Sequence, residues 1–402
     1  MKQTTVLHVQ FATSSEPAGN QRNEDMFNEG SSATRKVLSI LTAGLVFGAA
    51  CDENDQPTAE VKEAVLVGAS GHFYANQGDL RIDVSPKDAK GNFVGQHLPK
   101  SAFSFANVTM QSLDDDKAAP IAVNAQVKQV DTIEADPDAA LRAVMIFDSS
   151  GSMADNDPEG MGRRLGGKAL FDVLRPNDQV SVLDFGPSST PPLDYSRVLQ
   201  DFTNDRTLLD ASLNSLTEDG GTPLYESILE GLDLLIAKQD SSIPALVVLT
   251  DGIADDDNDF QDVIEKAQNN HIPIYAIGLG KQLDYRQLTE LTEQTGGSFI
   301  EASDAMGLEH AFAGVSSGIR LGAVTVTGEG MYVLTDPDSR YRISGNLITT
   351  TNVNGKKEDI TTPFTFTVDI EEDPKGVTDP DDDTGTDGDG VTVPGTWGGS
   401  GN

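Results

Sequence analysis

Asp148, Ser150 and Ser152 occupy alternate positions in "MIFDSSGSMADND", where an apolar run gives way within one residue to a carboxylate and hydroxyls. Hard oxygen donors crowded on one short loop suit a hard cation. Magnesium fits best, because it takes octahedral oxygen ligands and retains water readily, with manganese or calcium as alternatives. Two further segments bring matching oxygens. "DGGTPLYES" offers Thr222 after two glycines, and "VVLTDG" offers Asp251 at the end of an apolar run. Singly, each has a plainer reading: Asp148 and Ser150 as a turn bonded to its own backbone, Thr222 with Pro223 as a helix cap, Asp251 with Gly252 as a turn. Occurring together and in order, they point to a metal site.

Such donors act together only if separate elements deliver them to one place. Over residues 143–319, Val- and Ile-rich runs ("AVMIF", "VSVLDF", "ALVVLT", "IPIYAIGLG", "GSFIEA") alternate with segments of helical spacing such as "RRLGGKALFDVL", "PLYESILEGLDLLIAK" and "FQDVIEKAQNN". Near-continuous apolar strands imply a sheet covered on both faces. The alternation predicts an α/β fold, a doubly wound, mostly parallel open sheet of Rossmann-like architecture. Ligand sites of such sheets lie beyond the carboxyl ends of the strands, where Asp148 and Asp251 fall. "SSTPPLDYSRVLQDF", after the second strand, is expected to be loop material framing that face.

Asp-x-Ser-x-Ser, then a Thr, then Thr-Asp-Gly, resembles the metal-ion-dependent adhesion site of von Willebrand factor type A domains, over residues 143–319. The resemblance implies that Ser150, Ser152 and Thr222 supply hydroxyls while Asp148 and Asp251 ligate directly or through water. It also implies a protein partner whose acidic residue takes the open position on the ion. Asp255, Asp256, Asp257 and Asp259 follow the last motif; Asp155, Asn156, Asp157 and Glu159 follow the first. Both groups read either as solvated loop or as negative potential that tunes the site.

Metal-assisted hydrolysis needs a base or nucleophile beside the ion. None of the five histidines (His8, His72, His97, His271, His310) lies in the motif loops, and His271 reads as a helix-end residue. A phosphatase-type Asp-x-Asp pair is broken by Ser150, and no G-x-S-x-G, P-loop or H-E-x-x-H is present. The expectation is a binding protein, not an enzyme. An envelope scaffold with a purely structural ion is the alternative, and a metal-dependent hydrolase comes after it.

Across 402 residues, 28 basic against 64 acidic side chains leave a formal charge of −36. Nucleic acid and anionic lipid surfaces are therefore poor partners. The single cysteine, Cys51, excludes an intramolecular disulfide and a Cys-based zinc site. Arg35 and Lys36 precede "VLSILTAGLVFGAA" at residues 37–50, which ends in small residues directly before Cys51. That is the layout of a secretory signal, too short for a comfortable membrane span. Met26 as the start would give it ordinary length.

"FGAAC" resembles a bacterial lipobox, which implies lipidation of Cys51, although Gly48 stands where leucine is usual. A lipid anchor in the bacterial cell envelope, at the inner membrane facing the periplasm or at the outer membrane, is expected, with plain secretion as the alternative. The expected organisation is a signal over 1–50, a linker over 51–60, a β-rich domain over 61–138, the α/β domain over 139–320, a β-rich segment over 321–370 and a disordered acidic tail over 371–402. Whether the flanking β segments join in one sandwich is left open by the sequence.

Overall fold

The computed structural model describes residues 59–371, apart from 116, 137, 187–195, 239, 256–258, 335, 338 and 354–355. Cys51, the segment ahead of it and the acidic tail beyond Glu371 lie outside the described residues. Among the described residues no helix is long and apolar enough to cross a membrane.

Short alternating segments before the α/β region form strands β1 (Glu63–Phe73), β2 (Gln77–Lys87), β3 (Phe103–Ser112), β4 (Ile121–Ala122) and β5 (Asn124–Glu134). The stretch from 121 to 130, which reads as one strand, is broken at Val123, and β5 runs on to Glu134. The chain then builds β6 (Leu141–Asp148), α1 (Met153–Asn156), α2 (Met161–Asp172), β7 (Gln179–Phe185), β8 (Ser196–Thr203), α3 (Arg206–Leu213) and α4 (Leu224–Ala237). It continues through β9 (Ile243–Thr250), α5 (Phe260–Asn269), β10 (Ile274–Leu279), α6 (Tyr285–Thr295), β11 (Phe299–Ala302) and α7 (Gly307–Leu321). Strands β12 (Gly322–Met331), β13 (Tyr341–Val353) and β14 (Lys356–Val368) end the described chain.

The central sheet has the order β11-β10-β9-β6-β7-β8. All its pairings are parallel except β7 with β8. Alternate residues of β6 serve two cores: Leu141, Ala143, Met145 and Phe147 pack with α2, α3 and α7 on one face, Val144 and Ile146 with α4, α5 and α6 on the other. That explains the continuous apolar run, since neither face meets water. One expectation is corrected here. Residues 196–203 are the antiparallel edge strand β8, not loop; β8 is only partly covered, so its sequence stays too polar to advertise a strand.

The flanking segments form one sandwich. Strands β1-β2-β12-β5 make one sheet and β14-β13-β3-β4 the other, enclosing a common core that includes Phe73, Ile82, Met110, Val326, Ile343 and Phe366. The α/β unit is therefore inserted between β5 and β12, which pair directly, Glu134 opposite Gly322. The sandwich also lies along the α/β unit: Gly314 and Gly318 of α7 face Leu66 and Val67 of β1, where a Cβ at Gly314 would stand 2.1 Å from the Leu66 carbonyl oxygen. Buried Asp83 accepts hydrogen bonds from Ser298 (2.7 Å) and Thr325 (2.6 Å), and Arg81 donates to the Gly297 carbonyl.

Candidate metal centre

The order in which strands are added reverses at β6. From it the sheet grows through β7 one way and through β9 the other, so the β6 and β9 ends form the switch point where ligands bind. Asp148 ends β6 and Asp251 follows β9.

The first loop is shaped by Asp148 itself. Its Oδ1 accepts the Ser150 N–H at 2.8 Å, closing a side-chain turn, while Oδ2 accepts the Thr250 hydroxyl at 2.8 Å and the Asp251 N–H at 3.3 Å. The same carboxylate thus bonds its own loop and the end of β9. Beyond it, Ser150 Oγ lies 3.0 Å from Ser152 Oγ, and the Ser152 hydroxyl donates to Asp251 Oδ1 at 2.6 Å. Met153, wholly buried in the α2/α7 core, anchors the loop where it becomes α1.

Thr222 arrives on a second loop. Its N–H donates to Asp255 Oδ2 at 2.7 Å, and the Asp255 N–H donates back to the Thr222 carbonyl at 2.9 Å. A side chain at Gly252 would meet Thr222 Oγ1 at 3.4 Å and Ser152 Oγ at 4.0 Å, so both hydroxyls face the space that glycine leaves open. The structure thus brings Asp148, Ser150, Ser152, Thr222 and Asp251 to one place.

Glycines let these loops approach. Gly220 has φ +97°, and a Cβ there would lie 1.6 Å from the Gly186 carbonyl oxygen; a Cβ at Gly186, φ +90°, would lie 2.6 Å from the Gly221 carbonyl oxygen and 3.1 Å from the Ser150 nitrogen. Bonds from Asp219 N–H to the Ser149 carbonyl (2.7 Å) and from Gly151 N–H to the Gly220 carbonyl (3.2 Å) join the first loop to the second.

Asp148 and Asp251 are 0% and 1% exposed, and neither has an ion-pair partner among the described residues. Burial raises the Asp148 carboxyl above the usual carboxylate range, and the charge of Asp251 raises it further. Two buried carboxylates without a cation are costly, and a positive ion between them relieves the cost. No group of three or more His, Cys, Asp or Glu side chains is arranged for a metal among the described residues. The donor set here is instead three hydroxyls and two carboxylates, the oxygen chemistry that a hard divalent cation takes.

For several loop residues the sequence left a solvated and a site-tuning reading open, and others it did not mark. Asn156 donates to Asp251 Oδ2 at 2.8 Å, and Asp255 holds Thr222, so each supports the site directly and neither is merely solvated. Asp157 is wholly buried and accepts from the Gly162 and Arg163 N–H groups at the start of α2. Ser149 donates to buried Asp184, which Arg197 also holds. His271, φ +54°, lies just beyond the end of α5 in the turn that leads to β10. The Gly-Gly pair before Thr222 was the one sequence signal of close loop packing.

Residues 144–313 match the family model of the von Willebrand factor type A domain. No curated protein sequence matches the chain. Similar solved structures include a von Willebrand factor type A protein from Catenulispora acidiphila, at 11% identity over 81% of this chain and 76% of that one, TM-score 0.42. Another is the vWF domain of the type V pili tip protein Mfa5 from Porphyromonas gingivalis, at 14% identity over 46% and 96%, TM-score 0.35. A third is proximal thread matrix protein 1 from the mussel byssus with a zinc-occupied MIDAS motif, at 15% identity over 50% of each chain, TM-score 0.38.

Proposed function

From the premise that residues 144–313 form a von Willebrand factor type A domain, we propose that the protein is a metal-dependent protein-binding module of the bacterial envelope. The observation that carries this reading is the meeting of the Ser150, Ser152 and Thr222 hydroxyls with two buried carboxylates that have no cationic partner among the described residues. Those five side chains would hold the ion, with magnesium the expected occupant and manganese or calcium as alternatives. A divalent ion held mainly by neutral hydroxyls keeps strong Lewis acidity and would take an acidic side chain of a partner protein.

The chain's own residues do the positioning. Asp148 fixes the Ser150 backbone and the start of the β9 loop, Asp251 orients the Ser152 hydroxyl, and Asp255 sets Thr222. These bonds join the loops through the protein's own groups. Catalysis is not part of the proposal, since the five side chains are assigned to holding the ion. The signal-like segment ahead of Cys51 supports export with a lipid anchor.

Titration calorimetry with magnesium or manganese, on the wild-type chain beside Asp148→Ala combined with Ser150→Ala, tests the reading. One saturable site lost in the double variant is expected. Absence of binding to the wild type would reject it.

A further inference from the structure

We propose that Arg163 is the positioning residue that sets the spacing between the two loops of the metal centre; this deepens the metal-binding reading and rests on it. Arg163 lies on α2, outside every motif that points to the ion. Its side chain is 0% exposed. Burying a guanidinium is strongly unfavourable unless each face of it is bonded, and packing alone gives no reason for one here. The neighbouring inward positions of α2 are Gly162, Gly166, Gly167, Leu170 and Phe171, an ordinary small and apolar surface.

What Arg163 bonds supplies the reason. Nη1 donates to the Asp148 carbonyl at 2.8 Å and to the Thr217 carbonyl at 3.0 Å, while Nη2 donates to Glu218 Oε1 at 2.9 Å. Nε donates to Asp157 Oδ2 at 3.0 Å, and Asp157 in turn accepts the Arg163 N–H at 2.9 Å, so the base of the fork is held against α2. One planar group therefore ties the residue that opens the Ser150/Ser152 loop to the segment that leads into Thr222. Between those loops the backbone bonds lie further on, at Ser149, Gly151, Asp219 and Gly220. Arg163 fixes the separation at their root, and the hydroxyls on each inherit it.

An ammonium is a compact point charge and cannot reproduce a rigid fork that serves two carbonyls and two carboxylates at once. Partners that orient ligands without touching the metal commonly change metal affinity by about 10–100-fold. Arg163→Lys tests whether Arg163 belongs to that class. Manganese affinity of the full chain is measured by calorimetry for wild type, Arg163→Lys, Thr222→Ala and the double variant, with metal-free hydrogen exchange of the 217–222 amides as a second readout.

The expected result is at least a tenfold weaker dissociation constant for Arg163→Lys in the wild-type background, faster exchange at 217–222, and less than a twofold further effect once Thr222 is gone. Equal losses in both backgrounds would show general destabilisation and overturn the proposal, as would unchanged affinity in Arg163→Lys. Glu218→Gln covers the case in which Arg163→Lys fails to fold, because 29% of that side chain is exposed and it touches the fork at its outer end. A weakening of about threefold with an unchanged melting temperature is expected there; wild-type affinity would overturn the proposal. A wild-type chain that binds no manganese removes the metal reading itself, and this inference with it.

Discussion

Gly220→Ala perturbs the metal centre without touching any of its side chains. The added Cβ would stand 1.6 Å from the Gly186 carbonyl oxygen, so the two loops must open by roughly 1.4 Å before that contact reaches even 3.0 Å. Alanine at φ +97° costs about 1–2 kcal/mol in backbone strain. Opening also loses the Gly151 to Gly220 bond, already 3.2 Å long, for about 1 kcal/mol more. A loss of about 2–3 kcal/mol follows, which in a domain of this size lowers the melting temperature by about 5 °C.

The effect on the ion should be larger than the effect on stability. Thr222 lies two residues beyond Gly220, and metal–ligand distances tolerate only about 0.2 Å. Metal affinity should fall by about tenfold or more. Melting curves in EDTA and in excess manganese, together with calorimetric titration, measure both quantities. Gly91→Ala is the control: its φ is +82° but nothing lies within 4 Å, so it should show backbone strain alone and full metal affinity. If Gly220→Ala matched that control in both readouts, the argument from loop contact would fail.

Two further outcomes follow from the junction between the sandwich and the α/β unit. The hydrogen bond to Glu293, helped by a second to Glu371, outweighs burial and raises His72 to about 9. With the folded value above the unfolded value of about 6.5, the stabilisation is complete below pH 6.5 and is lost as pH rises through 9. Solvent screening of this partly exposed pair reduces the full effect, so denaturant titrations from pH 6 to 10 should show a decline of about 1–2 kcal/mol that His72→Gln flattens; equal pH slopes would contradict this. Gly314→Val should force α7 off β1 and cost about 2–3 kcal/mol by calorimetric melting, while manganese affinity stays at the wild-type value.

The α/β region was legible because its strands are buried on both faces and its helices on one, which writes a strong pattern into residues 143–319. The five side chains proposed to hold the ion could be picked out because they stand at or beside a strand end or a helix start, where polar residues interrupt that pattern. Strand β8 was not, since an edge strand carries little hydrophobic signal. Arg163 was illegible for a different reason. Its partners come from residues 148, 157, 217 and 218, so nothing local to α2 marks it as more than a surface arginine. Likewise the joining of β5 to β12 spans almost two hundred residues of intervening chain and follows from no local period.

That joining has a mechanical consequence. Besides the packing of α7 on β1, two covalent links join the α/β unit to the sandwich and leave it side by side, one from β5 and one into β12, while β6 carries the chain about 25 Å from there to the loops of the candidate metal centre. Tension applied by a partner at the ion would load both links from the same end. Neighbouring strands pulled together keep their mutual bonds, so β5 and β12 would not be peeled apart. The load would pass as shear into the eight residue pairs between β12 and β2, all of which must slip together before any one is released. A tether built this way resists extension far better than one in which the strands unzip in turn.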